Sequence, residues 1–250
     1  MHPELLYDGL HIADKNDSDI VYFKQASSTR NVPVHAFKKS DEKADIVNNH
    51  LFRSAAVFKL FKRKMLVDNN ILFDPSLTVY EDTLFSYHAL IVAETVSILA
   101  DKDYFIKKLH GQDHLIKRKR GHEGESSVLL RLLVYVLLSK KVLDEKIKMF
   151  SVLSYKYAEF LIKVLKKPKV TDDRKRVFFK IMHSSLAAHS DFYNAKFIRK
   201  KFESSVQFLL DGEYEKFQQN ALMFDQTQPV PATQQVSALP EDGREASKTD

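Results

Sequence analysis

The sequence predicts a mixed α/β region followed by an all-helical one, and three observations carry the prediction. Residues 1–124 alternate helix-like and strand-like patterns, residues 125–223 hold helical spacing throughout, and the stretch after Phe224 has no aromatic residue and is rich in Gln, Pro, Thr and Ser. That last stretch cannot bury enough surface to offset its ordering entropy, so residues 224–250 are expected to be a disordered tail. In the first region Leu5, Leu6, Leu10 and Ile12 recur at helical spacing, and "SDIVYFK" then reads as a buried strand of β-branched and aromatic residues. Residues 45–70, "DIVNNHLFRSAAVFKLFKRKMLVDNN", read as a helix with Ala55, Phe58, Leu60 and Phe61 inside and Lys59, Lys62, Arg63 and Lys64 outside. "ILFDPSL" is a loop stopped by Pro75. A helix opens near Glu81, and "TVSILADKDYFIKKLHGQDH" gives a strand, a turn and a second short strand. From Ser126 the chain reads as helices with Lys-rich outer faces, broken at Pro168 and at Asp172-Asp173.

Composition narrows the function. The chain has 250 residues, 44% of them hydrophobic, enough for a sizeable core. It has no cysteine, so disulfides, thiolate metal sites and a Cys nucleophile are excluded, and a reducing interior is the expected compartment. The opening "MHPELLYDGLHIADKNDSD" carries Glu4, Asp8, Asp14 and Asp17 where a secretion signal would need an unbroken apolar stretch, so the protein is expected to be cytoplasmic. The longest apolar run, Ser127 to Lys140, is too short to span a membrane, contains Arg131, and reads as a buried helix. No glycine lies between Leu10 and His110, which excludes a P-loop there. The net charge is +6, but the residues from Leu222 onward carry five acids against two bases, leaving +9 on residues 1–221. Such a body suits an anionic partner: a phosphate polymer, or the inner face of a membrane touched peripherally. Nucleic acid is not expected, because no recognition motif is present and the aromatics sit at core spacing.

The adjacent carboxylates of "YEDTLFSYHAL", Glu81 and Asp82, stand between aromatic and apolar residues. Acid at a helix start is ordinary, since the dipole and free N–H groups stabilise it. A carboxylate there can equally project into a cleft, held ionised as a general base must be.

The order of these pieces resembles the second half of a family 2 glycosyltransferase of the GT-A fold, followed by a helical region. The segment "HPELLYDGLHIADKNDSDIVYF", the stretch "VFKLFKRKMLVDNNILFD", the acidic pair, the paired strands and the polar loop "HGQDH" follow in that family's order over about residues 2–120. Within it the likeness is to the wall teichoic acid glycosyltransferases, whose Gly-x-Glu-His loop has Asp113 here in place of Glu. The resemblance implies transfer of a sugar from a nucleotide-sugar donor to an anionic glycopolymer, a cell-wall or polyol-phosphate acceptor. It implies Asp82 as the base, with Glu81 as a supporting hydrogen-bond partner. It also implies a divalent metal, Mg or Mn, held by a DxD motif that would stand just before Met1. On that expectation residues 1–124 form a partial, truncated GT-A-like domain, residues 125–223 a helical domain, and the strand "DIVYF" exposes apolar surface for lack of neighbouring strands. Lys59 and Arg63 are candidate phosphate ligands. So are His114 and Arg118, in the Gly- and cation-rich loop "HGQDHLIKRKRGHEGESS" that the resemblance makes a closing loop. The alternative is a non-catalytic module for an anionic polymer or membrane surface.

Overall fold

A computed structural model describes residues 1–27, 32–106 and 121–224. At its centre is a small sheet in the order β3-β1-β4, built from β1 (Ile20–Phe23), β3 (Lys59–Phe61) and β4 (Val96–Leu99). β1 runs parallel to β4, with Val21 opposite Ser97, and antiparallel to β3, with Val21 opposite Leu60. A second pair, β2 (Gln25–Ala26) and β5 (Phe105–Ile106), is parallel.

The period of two along β1 sorts its side chains between two layers. Val21 and Phe23 face helix α1 (Leu5–Asn16), where Leu5, Ile12, Leu99 and Tyr104 complete a small core. Ile20 and Tyr22 face the other way and join the main core with helix α3 (Glu81–Val92) and the helical region. Gly9 is why α1 lies so close: a Cβ there would stand 2.6 Å from Phe23 Cζ and 2.8 Å from Leu60 Cδ1.

The helical region follows the sequence reading. Helix α4 (His122–Leu138) packs on α3 and on α5 (Leu143–Leu165), the long central helix, which also meets α6 (Asp172–Ala187) and α7 (Glu203–Leu210). α8 (Tyr214–Met223) closes the bundle against α7 and α5. Pro168 stands in the break between α5 and α6, and Thr171 caps α6 by accepting the Arg174 N–H. One continuous core runs from Ile20 through Leu132, Phe160 and Phe217 to Ala221, so the sheet and the bundle share their interior.

Two expectations change. Residues 45–70 are not one helix: they hold a short 3-10 turn (Leu51–Arg53), strand β3, and only then helix α2 (Arg63–Asp68). Helical spacing of the apolar residues gave way to pairing with β1, which puts Lys59-Leu60-Phe61 in extended form. Nor does "DIVYF" expose apolar surface. Ile20, Val21, Tyr22 and Phe23 are all buried, because β3 and β4 flank β1, and Asp41 bridges the far edge of β4 at Ile98. Exposed apolar groups nearby lie instead on the outer face of α1, at Leu6, Tyr7 and Leu10, with others scattered over the described surface.

Candidate active site

The course of α3 positions the acidic pair. Just past its C-terminal end, the Glu94 and Thr95 N–H groups donate to the Asp19 carboxylate at 2.7 and 3.3 Å, at the start of β1. β4 then runs parallel to β1, and early in α3 the Phe85 ring meets the Phe61 ring of β3 at 5.3 Å.

The loop into α3 is fixed by Asp74, which accepts the Ser76 N–H at 2.8 Å and pairs with Arg131 of α4 at 2.5 Å. Tyr80 follows with φ of 72°, a left-handed backbone unusual for a bulky residue, and its side chain makes no cap bond. Its hydroxyl donates to Glu125 of α4 at 3.3 Å, and Glu125 also pairs with Lys163 of α5 at 3.3 Å. Glu81 and Asp82 are therefore the first two helical residues, in the field of the N-terminus, and neither is the cap. Both are half-buried. Asp82 accepts from the Thr83 hydroxyl at 3.2 Å, while Glu81 makes no hydrogen bond to Asp82 or to any other described residue. The supporting hydrogen bond expected of Glu81 is absent, because successive helical residues point 100° apart and do not face each other.

The surroundings of Asp82 include groups the sequence did not single out. The Tyr87 hydroxyl, five residues on in α3, donates to the Phe52 carbonyl. Burial raises its pKa well above the usual value, and the nearby Tyr22, Tyr155, Glu159 and Asp82 raise it further. Glu159 of α5 thus lies within the electrostatic reach of Tyr87, as Asp82 does. Burial would raise its carboxyl, but Lys156, paired at 2.9 Å, with Lys163 and Arg53, draws it below the usual range. A carboxylate at a helix head and a second one among cations can together hold a hydroxylated, anionic ligand. The signal that could have pointed to α5 is Lys156, Glu159 and Lys163 at i, i+3 and i+7, one face of a helix.

The predicted cations fare differently. Lys59 is buried, with 8% of its surface exposed, because the strand turns it inward. Its ammonium donates to the Ser54 carbonyl at 2.9 Å and to the Ala56 carbonyl, and lies 4.6 Å from the centre of the buried Tyr22 ring. It is a structural cation and not a surface phosphate ligand. Arg63 is exposed at the start of α2, directly after Lys62, whose N–H donates to the Asp19 carbonyl at 2.8 Å. Arg63 makes no ion pair with any described residue, Asp82 included, although Phe61, two residues before it, meets Phe85 of α3 at 5.3 Å. His114 and Arg118 lie outside the described residues, as do His110 and Asp113. α4 begins just after that segment, and Gly124 in its first turn approaches the Tyr80 ring. Among the described residues no three His, Asp or Glu side chains converge to hold a metal ion, so the expected divalent metal has no fitting site there. No described helix is long and apolar enough to cross a membrane.

No family model matches the chain. Sequence relatives are nonetheless clear. The poly(ribitol-phosphate) β-N-acetylglucosaminyltransferase TarP of Staphylococcus aureus is 32% identical over 109 residues, 42% of this chain and 33% of TarP. TarS of the same species, also a poly(ribitol-phosphate) β-N-acetylglucosaminyltransferase, is 26% identical over 138 residues, 55% of this chain and 24% of TarS. A poly(ribitol-phosphate) β-glucosyltransferase of Bacillus spizizenii is 25% identical over 187 residues, 74% of this chain and 30% of that enzyme. The aligned part is thus a quarter to a third of the length of these relatives. The crystal structure of S. aureus TarS 1-349 in complex with UDP-GlcNAc superposes with a TM-score of 0.73 at 18% identity, over 88% of this chain and 63% of that one. By sequence the chain is a relative of the wall teichoic acid glycosyltransferases, and its mixed α/β sheet with appended helices is part of the GT-A-type fold of TarS.

Proposed function

We propose that the chain serves sugar transfer from a nucleotide sugar to a polyol-phosphate polymer of the cell wall, with Asp82 as general base. The observation that carries the reading is the placing of Asp82: half-buried in the first turn of α3 and not consumed by capping. The relatives' names supply the reaction class.

The acceptor hydroxyl oxygen attacks the anomeric carbon of the donor sugar, and the bond from that carbon to the nucleoside diphosphate breaks. The hydroxyl proton passes to the Asp82 carboxylate, and the diphosphate leaves with the bonding pair. The helix dipole favours the ionised carboxylate beforehand. Glu81, exposed to the same field without a hydrogen-bond partner among described residues, adds negative charge beside the developing proton transfer. Arg53, Lys156 and Lys163 flank the acceptor side around Glu159. His114 and Arg118 belong to the reading as diphosphate contacts of the loop before α4. A divalent metal suits a nucleotide-sugar donor, but the described residues do not cluster to bind one, and no step here is routed through it. The division into a partial GT-A-like domain, residues 1–124, and a helical domain, residues 125–223, belongs to the same reading, with catalysis at their junction. So does action in the cytoplasm, with peripheral contact at the membrane's inner face.

The test is transfer from UDP-GlcNAc to poly(ribitol-phosphate) by the chain alone and by the chain fused behind the donor-binding half of TarS. The fused protein is expected to transfer, and Asp82→Asn is expected to lower turnover about 10²- to 10⁴-fold. An unchanged rate in Asp82→Asn refutes the base assignment. Polymer binding with no transfer in either form favours the binding-module alternative.

A further inference from the structure

The second cleft of the molecule, away from the α3 loop, has the composition of an anion site. It encloses about 280 Å³ between α5 (Val152, Tyr155), the segment Ile46–Phe52, and the segment Lys196–Arg199. His50, Lys196 and Arg199 line it, and no Asp or Glu does. The His35 ring meets the His50 ring edge-on at 5.9 Å. Both imidazoles are held below their usual pKa, by burial first and then by the charge of Arg53, Arg199 and Lys38, with no carboxylate acting on either.

Arg53 and Arg199 are half-buried, and neither forms an ion pair with any described residue. Partial desolvation of the Arg199 guanidinium without an ion-pair partner among the described residues is unfavourable, and a bound anion would reverse it, whereas Arg53 already acts on the Glu159 carboxylate. A guanidinium fork matches phosphate oxygens two at a time. The imidazoles, neutral near pH 7 in the empty cleft, would take up protons beside a phosphate and add further donors. The remaining lining is apolar: Val47, Phe52, Val152, Phe197 and Ile198. A bare inorganic ion would leave that surface unused, whereas a phosphate carrying a short carbon chain would cover it. The other cleft, of about 250 Å³, differs because its Arg131 is already paired with Asp74.

We infer that the cleft between Ile46–Phe52, α5 and Lys196–Arg199 binds the phosphate of an organic phosphate ester, held by the Arg199 guanidinium, the Lys196 ammonium and the His50 ring that line it. The choice of a polyol phosphate as the ester rests on the proposed acceptor; the anion site itself does not.

The test is a binding measurement on the full chain with ¹⁵N-labelled histidine, the resonances assigned from His35→Gln and His50→Gln. Ribitol 5-phosphate is titrated in, with ribitol, inorganic phosphate and phosphatidylglycerol vesicles in parallel. Saturable shifts of His35 and His50 with ribitol 5-phosphate, a rise in the pKa of both, weaker binding of inorganic phosphate and none of ribitol are expected. Arg199→Gln should weaken binding about tenfold or more, and Lys196→Gln should weaken it in the same direction. Absence of saturation in the wild-type chain, equal shifts with ribitol, or a response only to the vesicles overturns the inference. Sugar transfer is not the readout, so failure of the titration and failure of the transferase reading are separate results.

Discussion

Replacing Gly9 by alanine sets two effects of known size against each other. Gly9 is buried in the middle of α1, and alanine in a helix interior is favoured over glycine by about 1 kcal/mol. Against this, the new Cβ would stand 2.6 Å from Phe23 Cζ, 2.8 Å from Leu60 Cδ1 and 3.0 Å from Phe23 Cε1. The Leu60 methyl can swing aside. The Phe23 ring cannot, being 1% exposed and wedged by Tyr104 at 5.4 Å and Phe105 at 6.0 Å between centroids. Overpacking of this kind costs about 1–3 kcal/mol, so Gly9→Ala should destabilise by about 1 kcal/mol net, or about 2–4 °C in Tm for a chain of this size. Urea unfolding followed by circular dichroism measures it, and a double-mutant cycle with Phe23→Leu locates the cause. Phe23→Leu removes the ring end that meets the Cβ, so in that background Gly9→Ala should become neutral or stabilising. If Gly9→Ala stabilises the wild-type chain, or costs the same in both backgrounds, the close approach of α1 to the sheet is not what the glycine serves.

Tyr87→Phe should lower stability by about 1–3 kcal/mol, because the buried Phe52 carbonyl loses the donor it meets in Tyr87; an unchanged melting temperature would mean that another group replaces it. Asp74 should contribute to acid sensitivity. Hydrogen bonds from Ser76 and from Arg131, with the Arg131 charge, hold its carboxyl at about 2, below its ordinary 3.8. A depressed carboxylate gives stability that is complete above pH 4 and lost as pH falls from about 4 to 2. Asp74→Asn should therefore be less stable than wild type at neutral pH, and the gap between their melting temperatures should close across that window.

Much of the fold was legible because local pattern and tertiary environment agree. β1 is continuous β-branched and aromatic sequence and is buried on both faces, α1 presents Leu5 and Ile12 on one side, and α3 starts at the acidic pair. Residues 45–61 were not legible. Ala55, Phe58 and Phe61 fit a helix, but the edge of β1 captures 59–61 as a strand, a contact between residues about forty apart that no local window contains. The same capture explains Lys59: within a basic run it reads as solvated, and only the strand's inward turn and the Ser54 and Ala56 carbonyls bury it. Of the candidate site, Asp82 at a helix head could be read from sequence. The grouping of Glu159 with Arg53 could not, since it joins α5 to a segment about a hundred residues earlier and is a matter of topology.

The left-handed Tyr80 has a consequence for how the acidic pair could be tuned. A bulky residue in that conformation costs about 1–3 kcal/mol and persists where its surroundings hold it. Here one restraint comes from α4, the Glu125 carboxylate accepting from the hydroxyl, and Gly124 lies close beside the ring. The backbone angle that aims Asp82 is thus stored in a spring whose far end is anchored outside the sheet. In this arrangement the first turn of α3 is braced from a neighbouring helix, so substitutions at 124 or 125 would act on the acidic pair from outside the sheet while leaving Glu81 and Asp82 untouched.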